Sequence, residues 1–184
     1  MIEGKKVLAV IPARGGSKRV PLKNITLYKG KALIQWAMEH ASASQYIDKW
    51  VVSTEDEAIA LHAIMHLLPR PKFLATDRAS SESVLVHALY SMLPESYDFA
   101  VLLQPTSPER LPEDIDRCIE IAVKLDGNSN LHGCVSYNEY GKRNGAVYVV
   151  NVKHFLSTLS LDATHHYMMP QSRSLDIDYL WDFK

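Results

Sequence analysis

Cysteine is scarce in this sequence. Its 184 residues hold two, Cys118 and Cys134, with neither metal-site spacing nor the density of a disulfide-stapled secreted scaffold. A reduced, cytoplasmic setting is the default expectation. An excess of one charge is also missing: 20 basic and 21 acidic residues are interspersed and leave a formal net charge of −1. That excludes the basic face of a general nucleic-acid binder. No apolar run approaches the roughly 18–20 residues of a membrane span. The opening Met1-Ile2-Glu3-Gly4-Lys5-Lys6 leads into a short strand without a signal-peptide core. With no internal repeat, low-complexity tract or linker, one domain over residues 1–184 is expected. The turn cluster Asp126-Gly127-Asn128-Ser129-Asn130 reads as a loop, not a boundary. Ser53 and Ser107 have no evident His/Asp partners, so a hydrolytic triad has no support.

What is present is a globular pattern, 47% apolar and 22% charged. Val7-Leu8-Ala9-Val10-Ile11 is short, β-branched and closed by Pro12, which predicts a strand buried on both faces. Leu33, Trp36, Ala37, His40 and Ala41 recur at helical spacing within Ala32 to Ala43. A strand over Trp50 to Ser53 precedes a helix expected from Glu55 to Leu67, ended by Pro69. Leu85, Ala88, Leu89 and Met92 mark a third helix, and Phe99 to Leu103 another buried strand. Ile115, Cys118, Ile119 and Ala122 face a fourth helix, and strands follow over His132 to Tyr137 and Ala146 to Val150. Strands alternating with helices imply an α/β fold, its mainly parallel sheet covered by helices on both faces.

Ligands of such sheets sit at the carboxyl ends of the strands. Ala13-Arg14-Gly15-Gly16-Ser17-Lys18-Arg19 begins at such an end. Adjacent glycines permit backbone shapes in which several N–H groups converge on one anion. Arg14, Lys18, Arg19 and Lys23 add four cations, enough to offset most of the roughly four charges of a triphosphate. A lone Gly-Gly is more often a plain turn; its place after a buried strand, with four cations, favours the anion site. The loop fits neither Gly-x-x-x-x-Gly-Lys-Ser/Thr nor Gly-x-Gly-x-x-Gly.

Other residues carry open alternatives. Asp176 and Asp178 flank Ile177, so in an extended segment both carboxylates point one way and suit Mg²⁺. A strand end, or a cap from Asp178 on a helix through Tyr179-Leu180-Trp181, is equally consistent. Gln104 ends a buried strand and can read a base or sugar edge, or satisfy loose backbone groups. Arg70, between two prolines, suits a positioned ligand contact as well as an exposed loop. His165-His166 reads as a solvated loop pair, Cys118 and Cys134 as core, and Trp36 as packing.

Ile11-Pro12-Ala13-Arg14-Gly15-Gly16-Ser17-Lys18-Arg19-Val20-Pro21-Leu22-Lys23-Asn24-Ile25 resembles the signature of acylneuraminate cytidylyltransferases. Further segments agree in order. They are Val51 to Asp56, Arg70 to Asp77 with Ala79-Ser80-Ser81, Leu102-Leu103-Gln104-Pro105-Thr106-Ser107-Pro108, Asn144 to Tyr148 and Ser174 to Asp178. The resemblance implies a Rossmann-like nucleotidyltransferase fold and transfer of CMP from CTP to a sialic-acid-like, nine-carbon 2-keto sugar acid, with pyrophosphate leaving and Mg²⁺ required. It implies that Ala13, Arg14, Gly15, Gly16, Ser17 and Lys18 cradle the triphosphate, with Lys23 nearby. Asn24, Arg70 and Ser81 would hold the nucleoside, Gln104 would lie between nucleotide and acceptor, and Asp176 and Asp178 would bind the metal. Arg14, Lys18 and Asp178 are the expected catalytic groups.

Between Tyr137 and Asn144 the family usually inserts several tens of residues bearing acceptor-binding arginines and much of its homodimer contact. Here Asn138-Glu139-Tyr140-Gly141-Lys142-Arg143 intervenes alone, and the family's C-terminal helix is expected to be missing after Phe183-Lys184. Lys142, Arg143 and Asn144, with Arg173, are the candidates to hold an acidic acceptor. Two alternatives stay open: a non-catalytic nucleotide-binding relative, and a transferase with another acceptor such as an eight-carbon keto sugar acid.

Overall fold

The computed structural model describes residues 1–126 and 132–183. Gly127 to Asn130 of the expected loop lie outside the described residues. The elements run β1 (Val7–Pro12), β2 (Leu27–Tyr28), β3 (Lys31–Ala32), α1 (Leu33–Ala43), β4 (Lys49–Thr54), α2 (Glu57–His62) and β5 (Leu67–Pro69). They continue with α3 (Ser81–Ser91), β6 (Phe99–Leu102), α4 (Pro112–Lys124), β7 (Gly133–Asn138), β8 (Arg143–Asn151), α5 (Val152–Thr158) and β9 (His165–Met169).

Seven strands form one sheet in the order β5-β4-β1-β6-β8-β7-β9, and β2 and β3 pair separately. β5, β4, β1 and β6 are parallel. β8 runs antiparallel to both β6 and β7, and β9 parallel to β7. Strand β1 shows why the sheet is covered on both sides. Val7, Ala9 and Ile11 join one core with Ile34 and Ala37 of α1 and Ile115, Cys118 and Ile119 of α4. Leu8 and Val10 join the opposite core with Leu85 and Ala88 of α3 and Phe155 of α5. Side chains alternate with a period of two along a strand, so a continuous apolar run serves both layers. Each fully buried Leu, Ile or Phe here contributes on the order of 1.5–3 kcal/mol of transfer free energy.

Two local expectations change. The helix expected over Glu55 to Leu67 stops at His62; a 3-10 turn over Ile64–His66 follows, then β5. Leu67 and Leu68 pair with Val52 and Ser53, so sheet hydrogen bonds outcompete the helix, while Leu61, Ile64 and Met65 stay exposed. His165 and His166 are strand residues in register with Cys134 and Val135. Tyr137 lies across the His166 ring, centroids 4.2 Å apart. Cys118 and Cys134 are fully buried thiols.

Candidate active site

A cleft of about 470 Å³ opens at the carboxyl ends of β1, β5 and β6, a volume in the range of small-molecule sites. Arg14, Ser17, Lys18, Arg19, Lys23 and Asn24 form one wall. Arg70, Asp77 and Ser81 form another, and Gln104, Thr106 and Asp178 close it.

The first wall is a loop pinned from below. Ala13 N–H donates to Ser53 O at 3.0 Å, and Asn24 Nδ2 donates to Arg14 O at 2.9 Å. The glycines act differently from expectation. Gly15 and Gly16 are not among the positive-φ residues, and Gly15 N–H donates to Glu55 Oε1 at 2.9 Å, not toward the cleft. Gly15 is required for space: a Cβ there would collide with the Asp56 side chain, whose Oδ1 caps α2 by accepting from Ile59 N–H at 3.0 Å.

Two aspartates hold the four cations. Asp77 meets Arg14 Nη1 at 3.0 Å and Lys18 Nζ at 2.5 Å. Asp178 meets Arg19 Nη1 at 2.7 Å and Lys23 Nζ at 3.0 Å, and Lys23 also donates to Ile177 O. Partial burial alone would raise the Asp178 carboxyl, but Lys23 and then Arg19 hold it below the usual carboxylate range. Asp176 is raised, first by desolvation of its carboxyl and then by the Asp178 charge, against the opposing pull of Thr106 and Lys23. Ile177 between them is buried and donates its N–H to Thr106 O at 2.8 Å. Asp178 lines the cleft and Asp176 does not. The helix cap considered for Asp178 belongs to Asp182, whose Oδ2 accepts from Asp178 and Tyr179 N–H.

Arg70 is buried, not an exposed loop residue. It donates through Nε to Ser53 Oγ at 3.0 Å and through Nη2 to Ser53 O at 2.6 Å. Burial lowers its pKa to about 10, which leaves it charged at neutral pH. Ser80 caps α3, placing Ser81 in the helix's first turn at the cleft. Gly145, with a φ of +76°, passes close to Gln104: a Cβ on it would lie 3.0 Å from Gln104 Oε1.

The acceptor candidates do not converge. Lys142, Arg143, Asn144 and Arg173 do not line the cleft. Lys142 belongs to a tight turn closed by Asn138 N–H to Lys142 O at 2.8 Å. Arg143 is paired with Asp162 at 2.9 Å, and Arg173 with buried Asp114 at 3.0 Å. Asn144 is buried, accepting from Ser136 Oγ and donating to Ser174 Oγ. Its amide ties β8 to β7 and to the chain before Asp176. Among the described residues no group of three or more His, Cys, Asp or Glu is placed to hold a metal.

Two residues escaped the sequence reading. Asp77 stands in sequence only as the end of the Arg70 to Asp77 segment. Arg110 is fully buried and donates through Nη1 to Gln104 O at 3.3 Å and Ala146 O at 2.6 Å. Local spacing marks neither: Asp77 acts on cations distant in sequence, and Arg110 joins carbonyls 6 and 36 residues away.

Residues 8–139 match a protein-family model described as cytidylyltransferase. The chain is 33% identical over 218 aligned positions to an N-acylneuraminate cytidylyltransferase of Escherichia coli, covering 97% of this chain and 51% of that protein. That alignment is longer than the chain, so the relative carries segments without a counterpart here. A pseudaminic acid cytidylyltransferase of Campylobacter jejuni is 34% identical, covering 88% of this chain and 74% of that protein. A solved CMP:2-keto-3-deoxy-manno-octonic acid synthetase complexed with CTP superposes with a TM-score of 0.60 at 23% identity, over 72% of this chain and 52% of that one. The chain therefore spans about half the length of the E. coli relative, and its Rossmann-like nucleotidyltransferase fold is shared with the solved synthetase. On the match over residues 8–139, the chain belongs to the cytidylyltransferase family.

Proposed function

We propose that this chain transfers CMP from CTP to an acidic keto sugar and releases pyrophosphate. The observation that carries the reading is the cleft itself: Arg14, Lys18, Arg19 and Lys23 crowd one wall, with buried Arg70 and the α3 N-terminus across from them. In this reading Arg14, Ser17 and Lys18 hold the β- and γ-phosphates, while Asn24, Arg70 and Ser81 hold the nucleoside. The acceptor hydroxyl attacks the α-phosphorus, the bond to the β-phosphate oxygen breaks, and Arg14 and Lys18 stabilise the charge gathering on departing pyrophosphate. Gln104 stands between donor and acceptor. The names of the relatives support a sialic-acid-like or eight-carbon keto sugar acid as acceptor.

Of Asp176 and Asp178, the second lines the cleft and presents a carboxylate to a divalent cation such as Mg²⁺, while the first lies behind it, outside the lining. Both are hard oxygen donors; the Asp176 carboxyl is raised chiefly by desolvation and only then by the Asp178 and Asp182 charges, a repulsion a cation would relieve. Mg²⁺ typically takes one or two carboxylates and completes its shell with substrate phosphates and water. When bound, it would neutralise phosphate charge.

The test is pyrophosphate release from CTP with Mg²⁺ and a panel of nine- and eight-carbon keto sugar acids. Release with at least one acceptor is expected, and Asp178→Ala should abolish it. A second reading, a nucleotide-binding relative without turnover, is favoured by the failure of Lys142, Arg143, Asn144 and Arg173 to reach the cleft. CTP binding without release from any acceptor would select it.

A further inference from the structure

We propose that Asp77 is an internal counter-anion that competes with the phosphates for Arg14 and Lys18 and so promotes pyrophosphate release. The proposal rests on the reading of this cleft as the triphosphate site. Arg14, Lys18 and Asp77 all line the cleft, and the Asp77 carboxylate spans both cations, one oxygen to each. Among the described residues it has no other ion-pair or hydrogen-bond partner. Its neighbours are tied locally, Thr76 Oγ1 to Phe73 O and Ala79 N–H to Thr76 O, but the carboxylate is held only by the groups the phosphates would claim.

The two aspartates of the cleft differ in how readily they let go. Asp178 is about as exposed as Asp77, but Lys23 beside it is 14% exposed and carries a second bond to Ile177 O, so that lysine is anchored where Lys18 is not. Lys18 beside Asp77 is 76% exposed and Asp77 itself 46%; an ion pair this wet is weak and exchanges easily. A triphosphate carries several charges against one and displaces Asp77. After transfer, pyrophosphate is no longer covalently joined to the nucleoside, and Asp77, tethered beside the cations at high effective concentration, competes with it for them. The carboxylate thus weakens binding of the substrate slightly and that of the leaving group in the same measure, which favours turnover over product retention.

The experiment is calorimetric titration of pyrophosphate, CTP and cytidine into wild type, Asp77→Asn, Asp77→Ser and Glu39→Gln. Glu39 pairs with Lys31 on the surface, away from the cleft lining, and its variant matches the change in net charge. Both Asp77 variants should bind pyrophosphate and CTP roughly three- to tenfold more tightly, the scale of an exposed ion pair or two, with cytidine unchanged. Pyrophosphate should become a correspondingly stronger product inhibitor. Unchanged pyrophosphate affinity in both variants overturns the proposal, as does an equal gain for cytidine or for Glu39→Gln. Failure of the wild type to bind pyrophosphate and CTP at all overturns instead the reading of the cleft.

Discussion

His40 is buried on α1, and its Nδ1 has no hydrogen-bond partner among the described residues. Desolvation, reinforced by the Arg110 and Lys31 charges, lowers its pKa from 6.5 to about 3. Between those values the unfolded chain binds a proton that the folded chain refuses, so stability must fall as pH drops through that window. The expected slope from this one group is about 1.4 kcal/mol per pH unit. Urea unfolding of wild type and His40→Gln across pH 6.5 to 4 checks it, with a flatter profile expected for the variant. Glycine gives a second residue-scale contrast. Gly15→Ala forces a Cβ into Asp56, and Gly16→Ala meets nothing within 4 Å among the described residues. The first should cost about 1–3 kcal/mol, as overpacking does, and the second should stay within about 0.5 kcal/mol; paired denaturation curves decide. The adjacent glycines look alike in sequence, and only the neighbour brought in by α2 separates them.

Elements carry the site by their ends. Arg110 clamps the carbonyls of Gln104, just past β6, and Ala146, within β8, fixing the antiparallel junction beside which Gly145 passes Gln104. Arg110→Met would fill similar space but leave both carbonyls without that donor. A loss of about 2–4 kcal/mol is expected, with a rise in the KM for CTP if Gln104 shifts; chemical denaturation and initial-rate kinetics read the two effects separately. The strands and helices facing the two cores were legible because apolar periodicity reports burial directly. Helix α2 ends before the breaker Pro69 that the sequence offers, and Leu61, Ile64 and Met65 remain exposed. Pairing of Leu67 and Leu68 with β4 is non-local and leaves no periodic trace. His165 and His166 carry no strand signal of their own, because their strand is defined by its pairing with β7.

At the scale of the molecule, the cleft unites segments from Pro12 through Asp178, so occupancy should stabilise the whole sheet. CTP at about one hundred times its Kd is expected to add about 2.7 kcal/mol. Thermal melts should therefore rise with CTP, less with added salt as charges are screened, and little in Arg14→Ala/Lys18→Ala. An equal rise in that double variant would refute a triphosphate held by these cations. No helix among the described residues is long and apolar enough to cross a membrane.

The sequence by itself determined the alternation of buried strands and amphipathic helices, and with it a cation-rich loop at the carboxyl end of β1. Those are local properties, written in spacing. Tertiary structure decided the rest. It sent Asp77 to Arg14 and Lys18 and Asp178 to Arg19 and Lys23. It buried Arg70 against Ser53 and turned Arg143 and Arg173 away to their own carboxylates. The physical reason is that a charge finds its partner through the register of the sheet and the closure of its loops, and neither is encoded in the residues adjacent to it.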